Sequence, residues 1–440
     1  MHTITKISSP STPFAFGRFA IIFLLLIFYA WALVDVYDFQ IMGANPGMQP
    51  WEMTSMAATC CVVGLVLIAA LLAQMRGEPS DFFLIFYLSI VATSYLTLHS
   101  VLGRVSDEHF LMFLGIIVLP IFCINIFRTL LPGLRFAGFL SPGLIHGLVV
   151  ALVLVSVVGG YLNSPSTAGF GIDDSHLRRF EGRDIYVSGS VLAYALSMSM
   201  NGLVPYLAYR AGGKLNLPLF ALAASAAIFF YWLIGVKAPL FYVVIAFGLG
   251  ILVMKRRIKY FGAFLVGLVV VLYGAVLIEW CFFEGYSLIA DYFFRRVFAV
   301  QAEVLSFYFD FLVREKPFDW NWLRGANDPS FQATYYIGKT YILNEDSNVN
   351  TNAFLYALAA AGFSGYLVAI AVVSLFLTIL DRLYKSSRNP AYVFVGFMYG
   401  LLIVEQAFTV AFVSSGIAVL FVLALMEKDE DPQLRIDVIR

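Results

Sequence analysis

Long apolar runs, separated by short polar segments, occupy most of the chain. A helix needs about 20 apolar residues to cross the hydrocarbon core of a bilayer. Twelve runs reach or approach that length, at residues 16–34, 55–74, 82–101, 109–127, 144–162, 189–209, 217–236, 239–254, 262–282, 352–380, 391–406 and 411–426. The pattern predicts an all-α polytopic membrane protein with about twelve transmembrane helices, built as a single integral membrane domain over residues 1–440.

Composition agrees with this class, since 61% of the residues are hydrophobic and only 13% are charged. A soluble domain averages about 25% charged residues. The last two runs are short and nearly continuous, and a polar break at Gln406, Thr409 and Ser414–Ser415 favours two helices over one. The first run is long enough to span and lacks a small-residue cleavage site, so we expect a retained helix.

Lys and Arg residues indicate the orientation, because they concentrate in cytoplasmic loops. The short segments 255–260 and 381–389 carry the clearest excess, which predicts that both termini are cytoplasmic. Two sizeable loops, 163–188 and 283–351, then lie outside. Within the second loop, residues 287–313 have helical spacing and no Gly or Pro. They predict an amphipathic helix at the outer interface, or alternatively a structural lid over helix ends.

Each outer loop contains an adjacent pair of arginines, Arg178–Arg179 and Arg295–Arg296. A guanidinium group can bond two phosphate oxygens at once, so these pairs indicate a site for an anionic headgroup. Lys237, where an apolar run leaves the membrane, adds a further candidate cation.

These cations also have structural interpretations, which the sequence leaves open. Asp174, Glu181 or Asp291 could neutralise the arginines by local ion pairing. Lys237 could simply extend its charged group to the membrane interface.

Four short motifs follow one another along the chain. They are Arg178, ten residues and Gly189; the second arginine pair within residues 285–300; the Asn-x-Asn-x-Asn run 348–352; and Glu405–Gln406. In this order they resemble the Wzy-type O-antigen polymerases of Gram-negative bacteria. The second motif departs from the family pattern, because Ser306 stands where a Gly would follow Arg295.

The resemblance implies an enzyme of the bacterial inner membrane with a fold similar to GT-C glycosyltransferases and two periplasmic loops. Such enzymes transfer a growing glycan from undecaprenyl pyrophosphate onto the next lipid-linked repeat unit. The expected partners are this lipid-linked oligosaccharide, membrane lipid and a chain-length regulator protein, with no nucleic acid. No cofactor and no metal are expected, and the sequence has no P-loop, dinucleotide motif or metal-ligand spacing.

The reaction suggests roles for individual residues, because fixed cations stabilise the charge that develops on a leaving pyrophosphate. The candidate catalytic residues are Arg178, Arg295, Glu303 and Asn352; the pyrophosphate-binding candidates are Arg179, Lys237 and Arg296; and the candidates for acceptor or glycan binding are Asn350, Gly189 and Glu405. Rival general bases are Asp291, Glu284, Glu345 and Asp346.

Structural interpretations also exist for two of these motifs. Asn350 or Asn352 could cap the following helix, and Glu405 could make a structural hydrogen bond within the helix bundle. Two other functions remain open as well. An O-antigen ligase would use the same donor, with the lipid A core as acceptor. A lipid-linked oligosaccharide flippase or other transporter would concentrate polar residues and broken helices near the membrane midplane.

Overall fold

The computed structural model describes residues 16–44, 48, 50, 52–99, 107–171, 174–187, 189–315, 332–343 and 348–428. Within these ranges the chain is helical and forms no β-strand. Two of the candidate bases, Glu345 and Asp346, lie outside the described residues.

The helices vary widely in length. They are α1 (Phe16–Ala44), α2 (Ser55–Gln74), α3 (Pro79–Leu98), α4 (Asp107–Leu130), α5 (Pro142–Leu162), α6 (Ser175–Ile185), α7 (Val191–Lys214), α8 (Leu217–Ile234), α9 (Ala238–Met254), α10 (Ile258–Phe282), α11 (Ala290–Ala299 with Val300–Glu315), α12 (Ala333–Ile337 with Gly338–Ile342), α13 (Ala353–Ser387), α14 (Pro390–Leu402) and α15 (Ile417–Met426).

Each of the twelve apolar runs overlaps one of these helices. In the part of the chain that the structure describes, nine helices are long and apolar enough to cross a membrane. The apolar helices α9, α14 and α15 are shorter. The chain is therefore an all-α polytopic membrane protein, while the count of about twelve spans stays a prediction.

A network of ion pairs marks one end of the helix bundle, where α3 begins and α4 and α13 end. Arg128 contacts Asp81 at 2.7 Å, and Glu78 and Asp381 at 3.1 Å each. The second carboxylate oxygen of Asp81 accepts three backbone N–H groups from the residues that precede α3. We call this end of the bundle the Arg128 end. The opposite end, which carries α6, is the Arg178 end.

Helix α13 is two helices joined by a sharp turn. Ala361 (φ −142°) and Gly362 (φ 63°, ψ −160°) have non-helical backbone angles, and glycine adopts the latter most readily. A Cβ atom on Gly365 would lie 2.9 Å from the carbonyl oxygen of Ala357. Because about two helical turns would separate these residues in a straight helix, the part before the turn must fold back. We call residues 353–360 the inner arm.

The inner arm begins inside the bundle, not at its end. The ring of Phe354 packs edge-to-face on Phe83 and Tyr87 of α3, at centroid distances of 5.8 and 5.7 Å. The N–H group of Ala353 donates to the carbonyl oxygen of Ile403 at 2.9 Å. The N-terminus of the inner arm therefore lies among the long helices and beside the segment that follows α14.

Helices α14 and α15 form a hairpin that enters the bundle from the Arg128 end. Asn389 Nδ2, just before α14, donates to Ala424 O at 3.4 Å and to Glu427 Oε2 at 3.3 Å, which brings the two open ends together. Helices of 13 and 10 residues extend only about 20 and 15 Å, less than the roughly 30 Å of a hydrocarbon core. The hairpin therefore turns inside the bundle, at residues 403–416, which we call the hairpin tip.

Helix α11 occupies the predicted range 287–313 but is amphipathic only in its first part. There the buried residues Ala290, Phe294 and Phe298 recur every four positions, which leaves an opposite polar face. Every residue from Val304 to Leu312 is buried. The expectation of one apolar face is therefore wrong for the second half, which packs between other helices because it is aromatic or aliphatic at most positions.

Candidate functional site

Three segments meet at the Arg178 end: α6, the loop between α8 and α9, and the first turns of α11. Arg179 Nη2 donates to the carbonyl oxygen of Gly235 at 3.5 Å. In the same loop, Lys237 Nζ lies 4.7 Å from the ring centre of Tyr292 on α11. Tyr292 precedes Arg295 by about one turn. The fold therefore brings cations from both predicted outer loops to one neighbourhood. We call Arg178, Arg179, Lys237, Arg295 and Arg296 the cation group.

Arg178 is the most deeply buried member of the cation group, with 0% of its surface exposed. Its three guanidinium nitrogens have no hydrogen-bond partner among the described residues. The guanidinium carbon lies 5.5 Å from the ring centre of Tyr231 on α8. Burying a charge without an ion-pair or hydrogen-bond partner costs several kcal/mol, and a cation–π contact offsets only part of that cost. Arg178 therefore keeps its full capacity to bind an anion, at a cost in folding energy.

Glu181 does not neutralise Arg178. Its carboxylate accepts hydrogen bonds from the hydroxyl and backbone N–H groups of Thr167 and Ser166, at 2.5 to 3.1 Å. These bonds, with the Thr167 hydroxyl first, lower the pKa of Glu181 to about 2. Glu181 therefore fastens α6 to the loop that follows α5, and the ion-pair alternative is wrong for this residue.

Arg295, in contrast, forms a local ion pair. Its Nε donates to Asp291 Oδ1 at 2.5 Å, one turn earlier on α11. Both side chains are partly exposed, so the pair contributes only about 0.3–0.5 kcal/mol. Arg296, the next residue, is exposed. Tyr286, an exposed residue shortly before α11, lies within electrostatic range of Asp291, Tyr292 and Arg295.

Asn352 caps the inner arm. Its Oδ1 accepts the backbone N–H of Leu355 at 3.0 Å, and the residue is only 2% exposed. The cap is the structural interpretation that the sequence left open. Asn350 is exposed, whereas Thr351 is buried and its hydroxyl has no partner in the described part of the chain.

Three other candidates stand apart from these contacts. Gly189 has a φ of 91°, and open space surrounds the position of a Cβ atom, so its backbone conformation accounts for the glycine. Glu303 is half-buried in α11, within electrostatic range of Tyr37 on α1. Glu284 is exposed and has a φ of 52°.

Glu405 lies in the hairpin tip, just beyond α14. Protein atoms surround it on nearly every side, yet its side chain is exposed. This combination means that the carboxylate faces open space inside the bundle. Among the described residues no hydrogen bond or ion pair joins this carboxylate. Tyr242 of α9, about one and a half turns along the chain from Lys237, lies within its electrostatic range.

Sequence reasoning identified the cations but missed the aromatic residues that contact them. Tyr231 and Tyr292 each lie against a cation, and Tyr242 lies near Glu405. Aromatic residues form 16% of the chain, so none of them stands out in the sequence. Their contacts join different helices, and no local spacing predicts such contacts.

Within the described ranges, no group of three or more His, Cys, Asp and Glu residues could hold a metal ion. No protein-family model matches the chain, and neither a curated protein nor a solved structure matches it. Function is therefore inferred from the residues and their geometry.

Proposed function

We propose that the chain is a glycosyltransferase that polymerises O-antigen repeat units carried on undecaprenyl pyrophosphate, as the Wzy-type enzymes do. The observation that carries the proposal is the buried guanidinium of Arg178, which has no hydrogen-bond partner among the described residues. A folded chain gains nothing from an unpaired buried charge unless a ligand compensates for it. Pyrophosphate, with oxygens that match the guanidinium fork, is such a ligand.

The cation group suits a leaving pyrophosphate, because its members come from three separate segments. Arg178 and Arg179 lie on α6, Lys237 precedes α9, and Arg295 lies on α11. Charges held in place by helices can stabilise a developing negative charge without reorganising. Each charge-assisted hydrogen bond would contribute about 1.5–3 kcal/mol.

The charge distribution supports an orientation for this site. The segments 255–260 and 381–389, with their excess of Lys and Arg, lie at the Arg128 end. With that end in the cytoplasm, the cation group faces the periplasm, where lipid-linked units and a chain-length regulator would meet it. We propose the inner membrane on the same basis, and a GT-C-like arrangement from the resemblance to the Wzy-type enzymes. Helices α14 and α15 then form a hairpin that enters the membrane from the cytoplasmic side and do not count as two of twelve spans.

A transporter of lipid-linked oligosaccharide is the second candidate, and a specific observation favours it. Two interrupted helical segments meet inside the bundle, where the N–H group of Ala353 donates to Ile403 O. Interrupted helices near the midplane are common in secondary transporters. The cation group lies at the Arg178 end of the bundle, whereas this junction lies further inside. Because transporters concentrate their polar residues near the midplane, the position of the cation group favours the enzyme.

Deletion of the gene, followed by gel analysis of lipopolysaccharide, tests the proposal. Loss of a polymerase leaves the core with a single repeat unit attached. Loss of a ligase, or of the transporter that supplies it, leaves the core without O-antigen. A bare core in the deletion strain would therefore refute polymerisation. Polymer formed from lipid-linked units by the purified protein would separate the enzyme from a transporter directly.

A further inference from the structure

Pyrophosphate binding by the cation group leaves the carboxylate of Glu405 without a purpose. It faces open space inside the bundle and has no ion pair or hydrogen bond within the described residues. Carboxylates inside apolar helix bundles are costly and are normally paired. A purely structural role would require a donor that contacts it, and the described residues supply none.

The position of Glu405 follows from the junction of the two interrupted segments. Ile403, two residues before Glu405, accepts the N–H group of Ala353 at the start of the inner arm. Tyr242, within range of Glu405, lies about 7 Å along α9 from Lys237. The carboxylate near Tyr242 therefore lies deeper in the bundle than Lys237.

The cations at the entrance of the site and the carboxylate deeper inside attract different parts of a ligand. Phosphate oxygens are attracted to the cations and repelled by an unpaired carboxylate. A carboxylate accepts hydrogen bonds, so the group that it attracts is a donor such as a sugar hydroxyl. The deeper part therefore fits the hydroxyl-bearing sugar of an acceptor, not the phosphate of the donor.

We propose that Glu405 binds the attacking hydroxyl of the acceptor sugar and takes its proton, an assignment that rests on the proposed function. The acceptor oxygen forms a bond to the anomeric carbon of the donor glycan. The bond from that carbon to the pyrophosphate oxygen breaks, and its electron pair leaves on undecaprenyl pyrophosphate. The hydroxyl proton passes to the carboxylate of Glu405, which balances the step.

The test uses the purified full-length chain in lipid nanodiscs with lipid-linked repeat units. Glu405→Gln is nearly isosteric and should fold, which its melting temperature would check. Because a general base contributes about 10²–10⁴-fold, this variant should polymerise at least about 100-fold more slowly. Its affinity for undecaprenyl pyrophosphate alone should stay within twofold of wild type. Glu405→Asp should restore part of the rate.

A matched control is Asp35→Asn, which alters another carboxylate of the bundle. Asp35 accepts a hydrogen bond from Tyr273 at 2.7 Å and lies outside the proposed site. This variant should polymerise at nearly the wild-type rate. A wild-type rate from Glu405→Gln, or a loss only in Glu303→Gln, would overturn the inference. Absence of polymer from the wild-type protein would instead overturn the proposed function, and the inference with it.

A measurement that does not depend on activity examines the open space itself. Glu405→Cys, in a chain without the native cysteines, should react with a charged, water-soluble thiol reagent, and the lipid-linked acceptor should slow that reaction. A cysteine that never reacts would place the side chain in a closed core and overturn the assignment.

Discussion

Lys237 Nζ and the ring of Tyr292 lie 4.7 Å apart, although one residue precedes α9 and the other belongs to α11. The contact joins the loop that carries Lys237 to the helix that carries Arg295 and Arg296. A cation over an aromatic face is attracted by about 0.5–1 kcal/mol at a partly exposed site. The ring therefore fixes where the ammonium group points without neutralising its charge.

Two replacements of Tyr292 distinguish the contribution of its aromatic ring from that of its hydroxyl group. Tyr292→Phe keeps the aromatic face and should leave the affinity for undecaprenyl pyrophosphate unchanged. Tyr292→Leu removes the face, so the ammonium group becomes more mobile and the affinity should fall about two- to fivefold, as 0.5–1 kcal/mol implies. Titration of the purified protein measures both variants. Equal affinities in Phe and Leu would contradict a role for the ring.

Arg178→Leu should separate stability from function. Leucine removes a buried charge that has no hydrogen-bond partner among the described residues and can still pack on the Tyr231 ring, so the melting temperature should stay unchanged or rise. Loss of one bidentate anion contact should reduce polymer formation about 10- to 100-fold. The ladder on a lipopolysaccharide gel, beside an immunoblot of the membrane fraction, measures both.

Arg76→Leu is the matched control for that experiment, because Arg76 is exposed and lies at the Arg128 end. Its ladder should be normal. A normal ladder from Arg178→Leu at wild-type abundance would remove Arg178 from the site. A large drop in its melting temperature would indicate a structural partner for the guanidinium.

Helix positions were largely predictable from sequence, and the reversals of the chain were not. Apolar length alone predicts a span, and the run 352–380 therefore reads as one helix. The turn at Ala361 and Gly362 lies within that run. Gly362, Ser364 and Gly365 are less apolar than the rest of the run, but a glycine within a helical pattern does not by itself specify a reversal of the chain. The reversal at the hairpin tip was easier to recognise in the sequence, because the polar residues Gln406 and Ser415 lie between two apolar runs that are each too short to span.

The chemistry of the site was predictable in kind but not in detail. Opposite charges four positions apart on a helix attract each other, so the pairing of Asp291 with Arg295 was readable from their spacing. The burial of Arg178 was not, because arginine is seldom fully buried and the residues around it come from α8. The open space that Glu405 faces depends on how the inner arm and the hairpin tip meet, which no local pattern specifies.

Glu181 provides a prediction about pH. Its pKa is lowered to about 2 by hydrogen bonds from Thr167 and Ser166, whereas an unperturbed Glu titrates near about 4.3. The stabilisation that it supplies is therefore complete above about pH 4.3 and lost as the pH falls through about 2. Hydrogen exchange at the two amides should be faster in Glu181→Gln than in wild type at pH 7. The difference in exchange rate should vanish near pH 2. Equal protection of the two amides in Glu181→Gln and wild type at pH 7 would contradict the role of Glu181 in fastening α6 to this loop.

The pair Asp291–Arg295 allows a charge-swap test. Asp291→Arg combined with Arg295→Asp restores an ion pair of the same spacing, so helix stability should change by no more than about 0.5 kcal/mol. The swap places a carboxylate where a cation should meet pyrophosphate, and the O-antigen ladder should disappear. Arg295→Lys keeps the charge but loses the planar fork, so it should give a shortened ladder. A full ladder from the swapped chain would show that Arg295 serves only the helix.

We expect Asn352 to stabilise the backbone of the inner arm and not to contact the ligand. Its side chain is buried and caps the inner arm by accepting the N–H group of Leu355. Asp and Ser accept the same bond, whereas Ala does not, and loss of a cap costs about 0.5–2 kcal/mol. Asn352→Asp and Asn352→Ser should therefore keep a normal ladder and melting temperature. Asn352→Ala should melt earlier and shorten the ladder, because a frayed arm loosens the contact of Ala353 with Ile403 and displaces Glu405. The contrary outcome is that Asn352→Asp melts normally but makes no polymer. The Asn352 amide would then contact the substrate, because its two N–H donors are what distinguishes Asn from Asp at this position.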